Sequence, residues 1–404
     1  MNLLCLIRDE WKELEVKNIW PLLLSIIGIA PAIGLLPPTA NIFYGLIICT
    51  TFYFFYKHKK SVKLCGFILF AFLISIVVAS PPSFFKSPLR YFLFLFVFCV
   101  ASPMFQSEVL RKFRYRILLN ILKICTIVAT ISFFFYFLGI NYMVYEGEIL
   151  DVSKVGGFGG LTRHSMLLAP MSTFALVYIC YKALPTKNLW YWFLCIPCAA
   201  CILFAASRSA FLSGCFGILT MIYVFAKKKT QLVKIFVSLF IAITISFPLW
   251  SSALKGLEQK QLGNIESGGM TSSRNTKWNN RIYEFWENPV TGMGFCACDQ
   301  QFINDYDKTT GTIESGSSWL AVLSMTGLLG FIPFMILMYR SVKNILFYKT
   351  KDSPLLIGLL STLVMHMFAE SYIVAGGSQL CFIAWMIIGC SFDNKYRSVK
   401  YYKL

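Results

Sequence analysis

Long apolar runs, broken by short charged or turn-rich segments, recur along nearly the whole chain. Each is about as long as the roughly 20 helical residues needed to cross a hydrocarbon layer about 30 Å thick. The runs begin near residues 19, 41, 64, 91, 117, 165, 190, 209, 234, 318, 354 and 379. This pattern predicts an all-α fold, a polytopic transmembrane helical bundle of about twelve spans. Three blocks follow: residues 1–250 carry spans one to nine with an outer segment at 140–164, residues 251–317 form a large outer loop with short amphipathic helices, and residues 318–404 carry the last three spans. Lys and Arg crowd the alternate segments 57–63, 106–116, 227–234, 340–353 and 394–404, so the positive-inside rule places both termini in the cytoplasm. Arg8, Asp9, Glu10, Lys12, Glu13, Glu15 and Lys17 precede any apolar run, which argues against a removable signal peptide.

Composition narrows the possible functions. With 57% hydrophobic and 14% charged residues over 404 positions, the chain has too few polar side chains for a soluble surface. The net charge of +18 resides in short basic loops beside apolar runs, so membrane orientation accounts for it and nucleic acid is not expected as a partner. Nearly all of the fourteen cysteines lie in or beside apolar runs, where they act as small hydrophobes, and Cys195, Cys198 and Cys201 share a helix face. Cys296 and Cys298 fall in the large outer loop; a bridge between such near neighbours is strained, so they are read as structural or free thiols. No metal-ligand spacing and no cofactor motif emerges, and the inner loops are too short for a nucleotide-binding domain. Polar density collects in 140–164, with Gly156, Gly157, Gly159 and Gly160, and in 251–317.

Arginines near lipid are the first candidate chemistry, because a guanidinium there needs water, a carboxylate or an anionic ligand. Arg163 and His164 stand at the outer mouth of the sixth span, and Arg208 interrupts apolar text between spans seven and eight. Small neighbours of Arg208 (Ala205, Ala206, Ser207, Ser209, Ala210) would admit a close helix or a ligand. In the large loop, Thr271, Ser272 or Ser273 can cap a helix on which Arg274, Trp278, Arg281 and Phe285 recur at spacings of 4, 3 and 4. Asn288 and Pro289 end it, and Gly292 and Gly294 form a turn. The expectation is an amphipathic helix at the outer interface, with tryptophans at headgroup depth and arginines turned to phosphate. All four arginines fall on one side of the membrane, which suits a lipid-linked diphosphate as substrate. Attack by a hydroxyl also needs a base, for which Glu314 is the first candidate and His164 and Glu370 are rivals. His366 lies one turn from Glu370, and a buried polar pair between the two is the plain expectation.

These residues resemble the O-antigen polymerase and O-antigen ligase superfamily of bacterial inner-membrane glycosyltransferases. The likeness covers about residues 160–335 and rests on SRSAFL around Arg208, on R-x-x-x-W (Arg274, Trp278) followed by N-P-x-x-G-x-G (Asn288, Pro289, Gly292, Gly294), and on SSWLAVLSMTGLLG. It implies an undecaprenyl-diphosphate-linked oligosaccharide as substrate, a periplasmic active site and a chain-length regulator as partner. Because no aspartate-rich metal motif accompanies the arginines, they are expected to neutralise the departing diphosphate without metal or cofactor. The ligases carry a histidine and asparagine before the last of these spans, where this chain has Gly316 and Ser317. That departure favours polymerase over ligase, with Glu314 as base. A flippase or other transporter is the reading from another class, but the halves of the chain show no repeat.

Overall fold

The computed structural model describes residues 19–36, 39–57, 61–145, 148–149, 157–186, 188–226 and 272–398. The span expected near residue 234, Gly156, Thr271, residues 251–270 of the large loop, and residues 1–18 and 399–404 lie outside the described residues.

Helices stand where the apolar runs predict them: α1 (Ile19–Ile29), α2 (Ala40–Lys57), α3 (Lys63–Ala79), α4 (Ser87–Ala101), α5 (Glu108–Phe137), α6 (Ser165–Ala183), α7 (Leu189–Phe204), α8 (Arg208–Phe225), α10 (Ser318–Phe347), α11 (Ser353–His366) and α12 (Gln379–Ser398). The large loop contributes α9 (Ser272–Glu287). A two-residue antiparallel pairing of Val144–Tyr145 with Glu148–Ile149 is a small exception to the helical architecture. By length and composition, 5 helices among the described residues can cross a membrane: α4 taken with the turn that begins at Ser83, α5, α6, α8 and α10. Helices α1, α2, α3, α7 and α11 are apolar but shorter. The structure therefore supports a membrane protein and leaves the number of about twelve spans as an expectation. Helix α5 starts at Glu108 rather than near 117, because EVLRKFRY continues the helix beyond the apolar run and Glu108 pairs with Lys112 at 2.9 Å one turn on.

The chain packs as two compact units. One comprises residues 1–39, 116–263 and 351–363. Its described part centres on α6, which packs against α7 and α8. Small residues set the spacing: Thr173 Oγ1 reaches the Ala210 carbonyl at 3.3 Å, and a side chain on Gly214 would meet Thr173. The glycine loop after 157 is tied down by backbone bonds, Phe158 N–H to Phe204 O at 3.0 Å and Tyr142 N–H to Gly160 O at 2.8 Å.

The second unit comprises residues 40–115, 264–350 and 364–404. Its core is an aromatic cluster in which Trp385 meets Phe98, Phe94 and Phe334 at ring separations of 4.6, 5.9 and 6.0 Å, and Phe72 stacks on Phe295 at 5.2 Å. At another level, Arg114 at the start of α5 makes a buried pair with Asp393 of α12, both guanidinium bonds going to Oδ2 at 2.9 and 2.7 Å.

Helix α10 is broken at Gly327 (φ 57, ψ −164), and the Pro289–Gly294 segment fills the break. Leu328 and Leu329 donate to the carbonyls of Pro289 and Val290 at 2.8 and 3.0 Å, while Met293 and Gly294 donate to those of Ser324 and Met325 at 2.9 and 3.1 Å. A break inside a membrane helix is tolerated when protein satisfies the freed backbone groups. The approach is so close that a Cβ on Gly292 (φ +73) would lie 2.4 Å from the Met325 and Thr326 backbone. The N-P-x-x-G-x-G motif is thus structural, fixing the end of α9 to α10.

Candidate active site

Helix α9 forms where the spacing predicts it and stops at Glu287, with Asn288 N–H still bonded to Glu284 O at 3.2 Å before Pro289 prevents continuation. Its two ends are in opposite states. Near the N-terminal end, Arg274 Nη2 bonds Glu370 Oε1 at 2.6 Å. One turn on, Lys277 Nζ pairs with Glu314 Oε2. Between these, Trp278 Nε1–H donates to Gly316 O at 3.1 Å. Gly316 has φ +68, a region costly for other residues, and a side chain there would press on Lys277 and touch Trp278.

The start of α10 completes this corner. Ser318 donates through its backbone N–H and its hydroxyl to the Glu370 carbonyl, at 3.0 and 2.7 Å, and its hydroxyl accepts from Tyr372 N–H at 3.1 Å. Glu370 is therefore held at its backbone by α10 and at its carboxylate by α9. Helix α11 ends at His366, so Glu370 does not continue that helical face as expected. The His366 ring instead meets the Tyr372 hydroxyl at 3.1 Å, while the Glu370 carboxylate turns to Arg274.

At the other end of α9, Arg281 is fully buried. Its Nη2 contacts Glu284 Oε1 and Asp305 Oδ2, each at 2.9 Å, and Asn280 Nδ2 also donates to Asp305 Oδ2 at 3.0 Å. Glu284 Oε1 further accepts from Asp299 N–H at 2.8 Å. Burial pushes the Glu284 carboxyl up to about 7, against the opposing pull of Arg281 and the Asp299 N–H. Arg281, expected to grip phosphate, is placed by the structure with its guanidinium enclosed and facing two carboxylates. The exposed apolar residues of α9 are Ile282, Tyr283 and Trp286, and they lie off the Arg274–Trp278–Arg281 strip.

Arg163, His164 and Arg208 belong to the first unit. Arg163 is engaged locally, its Nη2 on Leu36 O at 2.8 Å and its N–H on Ala32 O at 3.0 Å, which ties the glycine loop to the turn after α1. His164 caps α6, its Nδ1 accepting from Met166 N–H at 3.1 Å. One ring nitrogen is thus already occupied in a structural role. Arg208 opens α8 directly after its cap Ser207 and is half-buried. Cys296 and Cys298 are buried free thiols, both pushed up to about 12 by burial.

Lys277, Glu284 and Asp305 were not among the sequence candidates. Lys277 was legible as the residue three positions after Arg274 on the same helix face. Nothing along the chain announces that Asp305, 24 residues beyond Arg281, closes on it.

The segment from within α7 to within α10, residues 193–335, matches the family model Wzy_C, described as O-antigen ligase. It contains Arg208, Arg274, Lys277, Trp278, Arg281 and Glu314; Arg163, His164 and Glu370 fall outside it. No match was found among curated proteins. Through residues 193–335, about a third of its length, the chain is similar to the O-antigen polymerase and ligase superfamily, and its apolar helices of membrane-spanning length agree with that likeness.

Proposed function

We propose that this protein is an O-antigen polymerase of the bacterial inner membrane, with its active site on the periplasmic side where α9 meets the start of α10. It transfers the growing glycan from undecaprenyl diphosphate to a sugar hydroxyl of the next carrier-linked repeat. The observation that carries the reading is the pairing of Arg274 with Glu370 and of Lys277 with Glu314 around Gly316. Cations for a diphosphate and a carboxylate able to take a proton converge there. The acceptor oxygen attacks the anomeric carbon while Glu314 takes its proton, and the bond from that carbon to the phosphate oxygen breaks with its electron pair leaving on undecaprenyl diphosphate. Configuration inverts. Arg274 steadies the charge that grows on the departing phosphate, an effect worth about 3–4 kcal/mol for a well-placed donor.

Glu314 is favoured over its rivals as base. Its side chain is 72% exposed, against 16% for Glu370, whose carboxylate is clamped. Polymerase is favoured over ligase because Gly316, with a left-handed backbone that suits glycine, stands where the resemblance places the histidine of the ligases. The ligase remains the second reading, since the matched family carries that name.

The test is reconstitution in liposomes with synthetic undecaprenyl-diphosphate repeat units and lipid A core as a competing acceptor, without metal and with chelator. A product ladder is expected. Single transfer to lipid A core and no ladder would establish the ligase instead, and activity only after a divalent cation is restored would remove the metal-independent mechanism. Arg274→Ala and Arg208→Ala should each abolish the ladder while the protein still inserts.

A further inference from the structure

We infer that Lys277 is a second cation of the donor's diphosphate site and that Glu314 is its resting counter-ion, exchanged for phosphate when the donor binds. The inference rests on the reading above, in which a lipid diphosphate is the donor. Its basis is the asymmetry of the two ion pairs on α9. Lys277 is only 14% exposed and its partner Glu314 is 72% exposed, so a held cation faces a solvated anion. Lysines are seldom buried unless paired, and Glu314 is the partner that Lys277 has. The root of Lys277 lies close against Gly316, where an added Cβ would come within 3.2 Å of the Lys277 Cβ. The Lys277 side chain is thus mostly enclosed, whereas the Glu314 carboxylate can swing into water.

The Arg274 pair has the opposite balance. Arg274 is 35% exposed, Glu370 is 16% exposed, and the bond runs through one terminal nitrogen of the guanidinium. Arg274 can keep Glu370 as an orienting partner and still present further donors to phosphate. Its position and that of Lys277 are three residues apart, hence neighbours about 5–6 Å apart on the helix surface. Both lie in the first two turns of a 16-residue helix, where the backbone dipole also favours an anion. Of the two carboxylates, Glu314 is the exchangeable one. Its displacement has a chemical consequence: donor binding frees the proposed base from its lysine at the moment the acceptor's proton must be taken. An empty site then holds its base neutralised.

The exchange predicts opposite signs for the two partners, which a structural ion pair does not. The experiment measures binding of undecaprenyl diphosphate to the full-length protein in nanodiscs, alongside initial transfer rates. Glu314→Gln should bind the carrier about fivefold tighter, as expected for removal of a competing partner worth about 1 kcal/mol, while its kcat collapses. Lys277→Gln should bind it at least fivefold more weakly. The charge swap Lys277→Glu with Glu314→Lys restores the ion pair and should not restore carrier binding. Glu314→Ala runs beside Glu314→Gln, so that one folded variant suffices. Unchanged or weaker binding in the folded Glu314 variants overturns the exchange, as does recovery of binding in the swap. If the wild-type protein itself ignores undecaprenyl diphosphate, the functional reading has failed; if it binds the carrier and Lys277→Gln binds it equally, this inference alone has failed.

Discussion

The two ends of α9 carry similar side chains and do different things. Arg281 sits with Glu284 and Asp305 at zero or near-zero exposure, while four and seven residues earlier Lys277 and Arg274 hold single carboxylates within reach of water. At the closed end, removing charges from water costs several kcal/mol per ion, and the cluster persists because each member offsets another's desolvation. At the open end the same kinds of pair contribute about 1 kcal/mol or less, so a stronger anion can displace them. Burial, more than residue type, separates the arginine of the closed end from that of the open end.

The sharpest way to break this comparison is to remove one arginine from each end. Arg281→Ala leaves two carboxylates buried without their cation and should cost about 3–5 kcal/mol, seen as loss of folded protein in detergent thermal melts. Arg274→Ala should change stability by no more than about 1 kcal/mol while transfer falls at least about a hundredfold. Equal loss of stability in both would erase the distinction between the ends.

Titration probes the closed end next. The Glu284 carboxyl, ordinarily near 4.5, is at about 7 in the folded protein, so between those values the folded state binds more protons than the unfolded one. Stability should fall as pH rises through that window, by on the order of 3 kcal/mol in all, and level off above it. Glu284→Gln should remove this slope from melts recorded across pH. A slope unaltered by that substitution would assign the titration to another group.

The joint between α9 and α10 gives a smaller effect. Gly292→Ala places a Cβ against the Met325 and Thr326 backbone at a positive φ, and should cost about 1–3 kcal/mol. Because the joint positions the open end, kcat should fall along with thermal stability. The smallest change expected is Trp278→Phe, which deletes the bond to the Gly316 carbonyl at a cost of about 1 kcal/mol. Its readout is a modest fall in transfer with the melting temperature nearly unchanged.

The sequence by itself determined the helices, because a chain that must satisfy its backbone in lipid has few options and announces them as apolar runs about 20 residues long. Periodicity alone also exposed α9, along with its stop at Asn288 and Pro289 and the turn at Gly292 and Gly294. Only the tertiary structure decided which charges are internal and which are available. Arg274 and Arg281 share a spacing pattern and read alike along the chain. They part company because Asp305 and Glu284 enclose one, whereas Glu370, arriving from beyond α11, leaves the other partly in water. The same holds for His366, whose expected partner on a continued helix is lost when α11 ends there. Desolvation depends on what surrounds a group in three dimensions, and those surroundings come from positions far apart in the chain.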